Sequence, residues 1–284
     1  MPLVTRQALF VPPTRKVLFL AAYLAAYAIV LGLVRDKSPP FPAIADTAYM
    51  VFRVTLTLAL WWAARCSVDR HLARGWYLLA AGQAFAVFGN ATWVYSDLTG
   101  VETENSTYLA WTVPQSVLTL AGYWRMMAPK GGVRGRPGDW IDAAALAVAS
   151  LSIAWYFIAA RLVTTVYDDS GGAALLIADL AASSATLMFA TAVWLRSPQG
   201  LAPGAMPRMA IAAAMMLAAD LVIEDQLLDG SYQPGSLLDV WYGLAILLQV
   251  IAADRHCYYR PPAEEPPATP ARSIAWSPRR CSHR

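Results

Sequence analysis

The sequence predicts an all-α, polytopic membrane helix bundle with about eight transmembrane helices. Of the 284 residues, 57% are hydrophobic and only 14% are charged, whereas about a quarter of the residues of soluble domains are charged. The charges fall between apolar blocks of about 20 residues, the length with which a helix spans a bilayer. The blocks are 16–34, 43–64, 75–97, 106–127, 139–161, 172–195, 207–228 and 236–254.

These blocks divide the chain into three regions. Residues 1–15 form the N-terminus, residues 16–254 the transmembrane domain, and residues 255–284 a tail. The first block is long and lacks a small-residue cleavage site followed by a soluble domain, so we expect no cleavable signal peptide. The tail is rich in Pro and has no apolar period, which predicts disorder.

The distribution of Lys and Arg predicts the orientation. Twelve lie in the N-terminus and in the loops after blocks 2, 4 and 6, and three in the opposite loops. The positive-inside rule then places both termini in the cytoplasm. An even number of spans agrees with this orientation.

The two halves, 16–127 and 139–254, show signs of a repeat. At an offset of 130, Asn90, Ser106 and Trp111 match Asp220, Ser236 and Trp241. At an offset of 133, Ile44-Ala45-Asp46 matches Ile177-Ala178-Asp179. Four spans separate equivalent positions, which predicts a parallel 4+4 repeat with sites where the halves meet.

Polar residues inside the apolar blocks are the candidate site. Asp220 lies about 13 residues from the cytoplasmic end of block 7, roughly 20 Å deep, and Glu224 follows on the same face. Ionisable groups at this depth usually face the bundle interior or a wet cavity. The predicted ligand-binding cluster is Asp46, Arg53, Asn90, Trp93, Trp111, Asp179, Asp220, Glu224 and Trp241, with Gln83 adding neutral polarity. We expect Arg53 to pair with one of Asp46, Asp179, Asp220 or Glu224. The alternatives are ties between helices for the polar members and an aromatic belt for the Trp residues.

The remaining acids have simpler interpretations. Ser236 and Asp239 form a capping box at the start of block 8, and Asp139 and Asp142 do the same at block 5. Asp97, Asp225 and Asp229 are expected at the wet outer surface or outer helix ends.

Several classes of site are not expected. Cys66, Cys257 and Cys281 show no metal or disulfide spacing, and the three His do not cluster, so we expect no metal and no cofactor. No phosphate-binding loop or nucleophile elbow occurs, and topology explains the basic residues without a nucleic acid. The expected partners are the lipid bilayer and a small lipophilic or polar ligand. A homo-oligomer is left open.

Four stretches carry a resemblance: FPAIADTAY (41–49), GDWIDAAALAVAS (138–150), LLIADLA (175–181) and AADLVIEDQLLDGSYQPGSLLDVW (218–241). They resemble the multi-pass N-terminal membrane domain of actinobacterial cyclic-di-GMP signalling proteins, most closely in the turn 230–236 with Asp239 and Trp241. Those proteins carry GGDEF and EAL output domains, whose motifs do not occur in this sequence. The resemblance implies a sensory module that binds a ligand or responds to the membrane.

A second resemblance implies an enzyme. Asn90-Ala-Thr-Trp93-Val-Tyr95 is similar to an Asn-x-x-Trp-Glu stretch of integral-membrane terpene (meroterpenoid) cyclases, with Val94 where that family has Glu. Such enzymes need no metal and use carboxylic acids as proton donors. Apolar surroundings favour the protonated acid, which can act as a general acid. Under this alternative Asp220 and Glu224 are the catalytic residues.

The orientation can be tested by cysteine accessibility in intact cells. Glu102→Cys and Ser231→Cys, each in a cysteine-free background, should react with an impermeant maleimide, whereas Gln199→Cys should react only after lysis. Labelling of the first two positions only from the cytoplasmic side would contradict the topology.

Overall fold

The computed structural model describes residues 14–34, 40–101, 105–127, 170–196, 200–228 and 235–259, with isolated positions elsewhere. This part of the chain is all-α, as predicted. Its long helices are α1 (Arg15–Leu33), α2 (Phe41–Cys66), α3 (Arg70–Thr99), α4 (Asn105–Met127), α5 (Ser170–Arg196), α6 (Ala205–Leu228) and α7 (Leu237–Tyr258). Most of the predicted block 139–161 lies outside the described residues, as do Asp139, Asp142, Asp229, Cys281 and most of the tail.

Five of these helices are long and apolar enough to cross a membrane. They are Arg15–Leu33, Phe41–Cys66, Ile177–Arg196, Ala205–Gln226 and Leu237–Tyr258. The protein is therefore a multi-pass membrane protein. The helices α3 and α4 are less apolar, with Gln83, Asn90, Thr112 and Gln115 along their lengths.

Local sequence explains where several helices begin and end. The Thr14 hydroxyl accepts a hydrogen bond from the Val17 N–H at 3.4 Å, and the Asp69 carboxylate accepts one from the His71 N–H at 2.8 Å. These side chains satisfy N–H groups that a helix start leaves unpaired. Gly100 ends α3 in the left-handed conformation, with φ of 70°. Ser236 caps α7, with Asp239 in its first turn, as the sequence predicts.

Six of the seven described helices form a closed ring. Along the chain α2 packs on α3, α3 on α4, α4 on α5, α5 on α6, and α6 on α7, and α7 returns to α2. The remaining helix, α1, packs against α7 and α2. It contributes no residue to the central cavity, so it lies outside the ring.

Aromatic side chains hold α1 against α2. Phe52 is fully buried, and its ring centroid lies 5.1 Å from that of Tyr23 and 5.7 Å from that of Tyr27. The Tyr23 hydroxyl donates to the Ala48 carbonyl at 2.9 Å, and that of Tyr27 to the Ala45 carbonyl at 3.4 Å. Tyr27 is buried and Tyr23 is partly buried, and each still pairs its hydroxyl.

The end of the bundle where α2 ends and α3 begins, which we call the inner end after the predicted orientation, is closed by contacts to the last turn of α7. Ser67 Oγ lies 2.7 Å from His256 Nε2, and the His256 ring lies 5.3 Å from that of the buried Trp76. The side chains of Cys66 and Cys257 lie within hydrogen-bonding reach of each other. Both are free thiols, although their sequence spacing gave no sign of the pairing.

Small residues let α3 and α4 approach closely. A Cβ atom on Gly75 would lie 3.0 Å from the Gly122 carbonyl oxygen, and one on Gly122 would lie 2.9 Å from Leu79. Close backbone approach at glycine is a common way to pack helices in membranes. The packing brings the polar faces of α3 and α4 to the same side of the ring.

Candidate functional site

The ring encloses a cavity of about 590 Å³, lined by side chains from all six of its helices. On α3 the lining extends from Leu79 to Asp97, roughly 25 Å along the helix. The outer half is polar and holds all the carboxyl groups of the lining. Toward the inner end the lining includes Leu60, Leu79 and Met209.

Eight of the nine predicted site residues line this cavity. They are Asp46, Arg53, Asn90, Trp93, Trp111, Asp179, Asp220 and Glu224. The ninth, Trp241, does not line it: its side chain is 44% exposed, and its Nε1 donates to the Met215 carbonyl at 2.7 Å. Trp241 points away because α7 directs Asp239 and Tyr242 inward instead.

Trp111 reaches its place because α3 has a glycine opposite it. A Cβ atom on Gly89 would lie 2.5 Å from the indole ring. Any larger residue at position 89 would therefore displace Trp111 from the cavity wall.

Asp220 is held by two hydroxyl groups. Ser183 Oγ on α5 donates to Asp220 Oδ2 at 2.7 Å, and the Tyr242 hydroxyl on α7 donates to Asp220 Oδ1. The carboxyl group on α6 thus bridges both neighbouring helices. Hydrogen bonds to a charged or strongly polar partner contribute more than neutral pairs do.

Glu224 lies one turn further out on the same face of α6 and differs sharply from Asp220. Its side chain is only 5% exposed, yet its Oε2 has no hydrogen-bond partner among the described residues. Among the described residues, the charged groups that act on it are Asp179 and Asp220, both acids. A buried polar atom without a partner is rare in folded proteins.

Arg53 is held by α3. Its Nη1 donates to Gln83 Oε1 at 3.1 Å, and its guanidinium lies 5.6 Å from the centre of the Tyr49 ring. The hydrogen-bond partner of Arg53 is therefore the neutral amide of Gln83 and not one of the four predicted acids, although its charge also acts on Asp220, one of those four. The reason is the ring order: α2 packs on α3, whereas Asp179 and Asp220 lie on α5 and α6, which are not its neighbours.

Two acids that sequence reasoning assigned elsewhere also line the cavity. Asp97 was expected at the wet outer surface, but it lies in α3 and faces Asp46 within hydrogen-bonding reach. Asp239 keeps its place in the first turn of α7 and faces the cavity as well. The lining therefore carries six carboxyl groups and, among the described residues, one guanidinium.

Sequence reasoning missed the polar face of α4. Thr112, Gln115, Ser116 and Thr119 line the cavity. Thr112 Oγ1, Gln115 Oε1 and Thr119 Oγ1 are buried without a hydrogen-bond partner in the described part of the chain. The signal that could have found them is their helical spacing, since residues three and four apart share a face.

The sequence matches no protein-family model, and the chain matches no curated protein and no solved structure. The two resemblances drawn from short motifs therefore stay predictions.

The bridge at Asp220 can be tested by removing one hydroxyl. Tyr242→Phe should lower the stability of the detergent-solubilised protein by about 1–3 kcal/mol, because it leaves one carboxyl oxygen buried and unpaired. Chemical denaturation followed by circular dichroism measures the change. The matched control is Tyr258→Phe, whose side chain is 61% exposed. An equal loss in both variants would contradict the bridge.

Proposed function

We propose that the chain is an integral-membrane ligand-binding module of sensory type, with the central cavity as its site. The observation that carries this proposal is a set of buried polar atoms on cavity-lining residues that have no hydrogen-bond partner in the described part of the chain, above all Glu224 Oε2 and Thr112 Oγ1. Polar residues that only tie helices together would satisfy each other, as Asp220, Ser183 and Tyr242 do. A ligand that reaches the cavity supplies the missing partners.

The size and polarity of the cavity also support a small ligand. Ligand sites are commonly 300–1,000 Å³ in volume and combine apolar walls with a few placed polar groups. This cavity has about 590 Å³, with a polar outer half and apolar residues toward the inner end. It suits an elongated molecule with one polar end.

The sensory role rests on the resemblance to the membrane domain of cyclic-di-GMP signalling proteins. In this proposal the chain has eight spans, including 139–161, and both termini lie in the cytoplasm of a bacterial cell. A ligand that binds one arrangement of the ring more tightly than another shifts the population toward it. The readout would pass from the inner helix ends to a separate partner.

An internal repeat of two units, α2–α4 and α5–α7, belongs to the same proposal. Packing of α2 on α3 corresponds to α5 on α6, α3 on α4 to α6 on α7, and α7 on α2 to α4 on α5. Cavity-lining positions support the correspondence. At an offset of 130 they pair as 79 and 209, 83 and 213, 86 and 216, 90 and 220, 93 and 223, 112 and 242, and 119 and 249; at an offset of 133 they pair as 46 and 179, 49 and 182, and 53 and 186. The ligand would then bind between the two units, as in other membrane proteins built from repeats.

The proposal that the cavity binds a ligand can be tested by a stability measurement on the protein without ligand. Thr112→Val keeps the side-chain shape and removes a buried hydroxyl without a partner, so the stability of the empty protein should stay equal or rise. Denaturation in detergent, with Tyr242→Phe as the paired control, measures this. A loss as large as that of Tyr242→Phe would instead favour polar ties between helices.

A terpene cyclase is the second candidate, favoured by the acids of α6 beside apolar walls. A protonated carboxyl group of Asp220 or Glu224 would transfer its proton to an epoxide oxygen. The C–O bond of the epoxide would break as an alkene of the same substrate molecule attacks the epoxide carbon. The carbocation left after the last ring closure would lose a proton to a base. Substrate and product would be isomers.

Incubation of the purified protein with a polyprenyl epoxide separates the two candidates. Mass spectrometry that shows a cyclic product of equal mass, lost in Asp220→Asn or Glu224→Gln, would establish the enzyme. We expect no product, and equal recovery of the epoxide with and without protein.

A further inference from the structure

We infer that the cavity takes an organic cation, an amine or ammonium group carried on an apolar body, with its charged head at Glu224. This inference rests on the proposed function and names the chemical class of its ligand. It follows from the surroundings of one oxygen atom, from the charge of the lining and from the shape of the space.

The surroundings of the Glu224 carboxyl group favour a cation. Its side chain is 95% buried and lines the cavity, and Oε2 accepts no hydrogen bond from the described residues. Of the described residues, Asp179 and Asp220 are the charged groups that act on it. Within this part of the chain, Oε2 of a Glu224 carboxylate has neither a donor nor a positive charge beside it, and leaving a buried charge uncompensated is costly. An ammonium group offers both.

The lining of the cavity as a whole carries more acidic groups than basic ones. Six carboxyl groups face one guanidinium, and that guanidinium already donates to Gln83. An anionic ligand would meet acids from α2, α3, α5, α6 and α7. A cation would meet acceptor oxygens from the same five helices, so a cation fits the cavity best.

The arrangement of the acids favours an organic cation over a metal ion. Among the described residues no three His, Cys, Asp or Glu side chains lie close enough together to hold a metal ion. Both oxygens of Asp220 already accept hydrogen bonds from hydroxyl groups. The acids are therefore spread over a space that suits a larger head with several N–H or C–H groups.

The aromatic and apolar side chains of the cavity walls also suit a cation with an apolar body. Trp93 and Trp111 line the outer half, and aromatic rings attract ammonium groups. Toward the inner end, Leu60, Leu79 and Met209 supply apolar surface, against which an alkyl or isoprenoid body gains hydrophobic stabilisation.

Three probes with the same ten-carbon chain test the class. Decylamine, decanol and decanoate are titrated by calorimetry into the full chain in lipid nanodiscs, with empty nanodiscs subtracted. We expect saturable binding of decylamine, at least about tenfold tighter than that of decanol, and no saturable binding of decanoate.

Variants of neighbouring acids locate the head group. Glu224→Gln should weaken decylamine binding by about 30-fold or more, and Glu224→Asp, which keeps the charge, should lose less. Asp225→Asn is the matched control, because Asp225 is the adjacent acid on α6 but does not line the cavity; its affinity should stay within about threefold of wild type. Equal effects of Glu224→Gln and Asp225→Asn would overturn the inference.

A cavity-filling variant distinguishes failure of the ligand class from failure of the site. Ala213→Trp places a large side chain in the lining and should abolish decylamine binding. If decanol binds as tightly as decylamine and both are lost in Ala213→Trp, the cation class is wrong and the ligand cavity stands. Decylamine affinity unchanged in Ala213→Trp would contradict the class and the site together.

Discussion

The cost of a polar group in hydrocarbon is the constraint on which this structure depends. Six carboxyl groups and a guanidinium occur within helices that must pack in or beside the bilayer. Each would be expensive against lipid, so such groups turn toward the bundle interior. Closing six helices into a ring gives all of them one common interior. The fold can therefore be understood as the enclosure of polar side chains as well as the packing of apolar ones.

Hydropathy and depth predicted much of this arrangement. Seven of the eight apolar blocks match the seven helices of the described residues, and the depth of Asp220 and Glu224 identified two acids that both reach the cavity. The sequence could not supply the order of helices around the ring. Arg53 shows the consequence: charge alone favours an acidic partner, whereas the neighbour that α3 offers is the neutral amide of Gln83. The prediction that Trp241 lines the cavity was wrong for a related reason, since small rotations of α7 decide which of its side chains face inward.

The positions of residues near helix ends and of uncharged polar residues were the hardest to predict. Asp97 was assigned to water because it is close to a loop, but α3 continues to Thr99 and carries it into the lining. Thr112, Gln115 and Thr119 carry no charge, so they hardly alter an apolar block. Their common face becomes visible only once α4 is seen to turn it toward the cavity, where hydroxyl and amide groups are as consequential as acids because all of them need partners.

Asp220 and Glu224 show why burial alone does not identify a functional residue. They lie one turn apart on the same face of α6, and both are acids within the cavity lining. Asp220 has a donor on each oxygen, from α5 and from α7, so its contribution is to hold three helices together. Glu224 has an oxygen that the described residues leave without a donor. Natural proteins retain such an atom at a cost in stability, and sites that bind ligands are where that cost brings a functional gain. The division of roles follows from counting donors: the first acid is a structural bridge, and the second is the group that a ligand would satisfy.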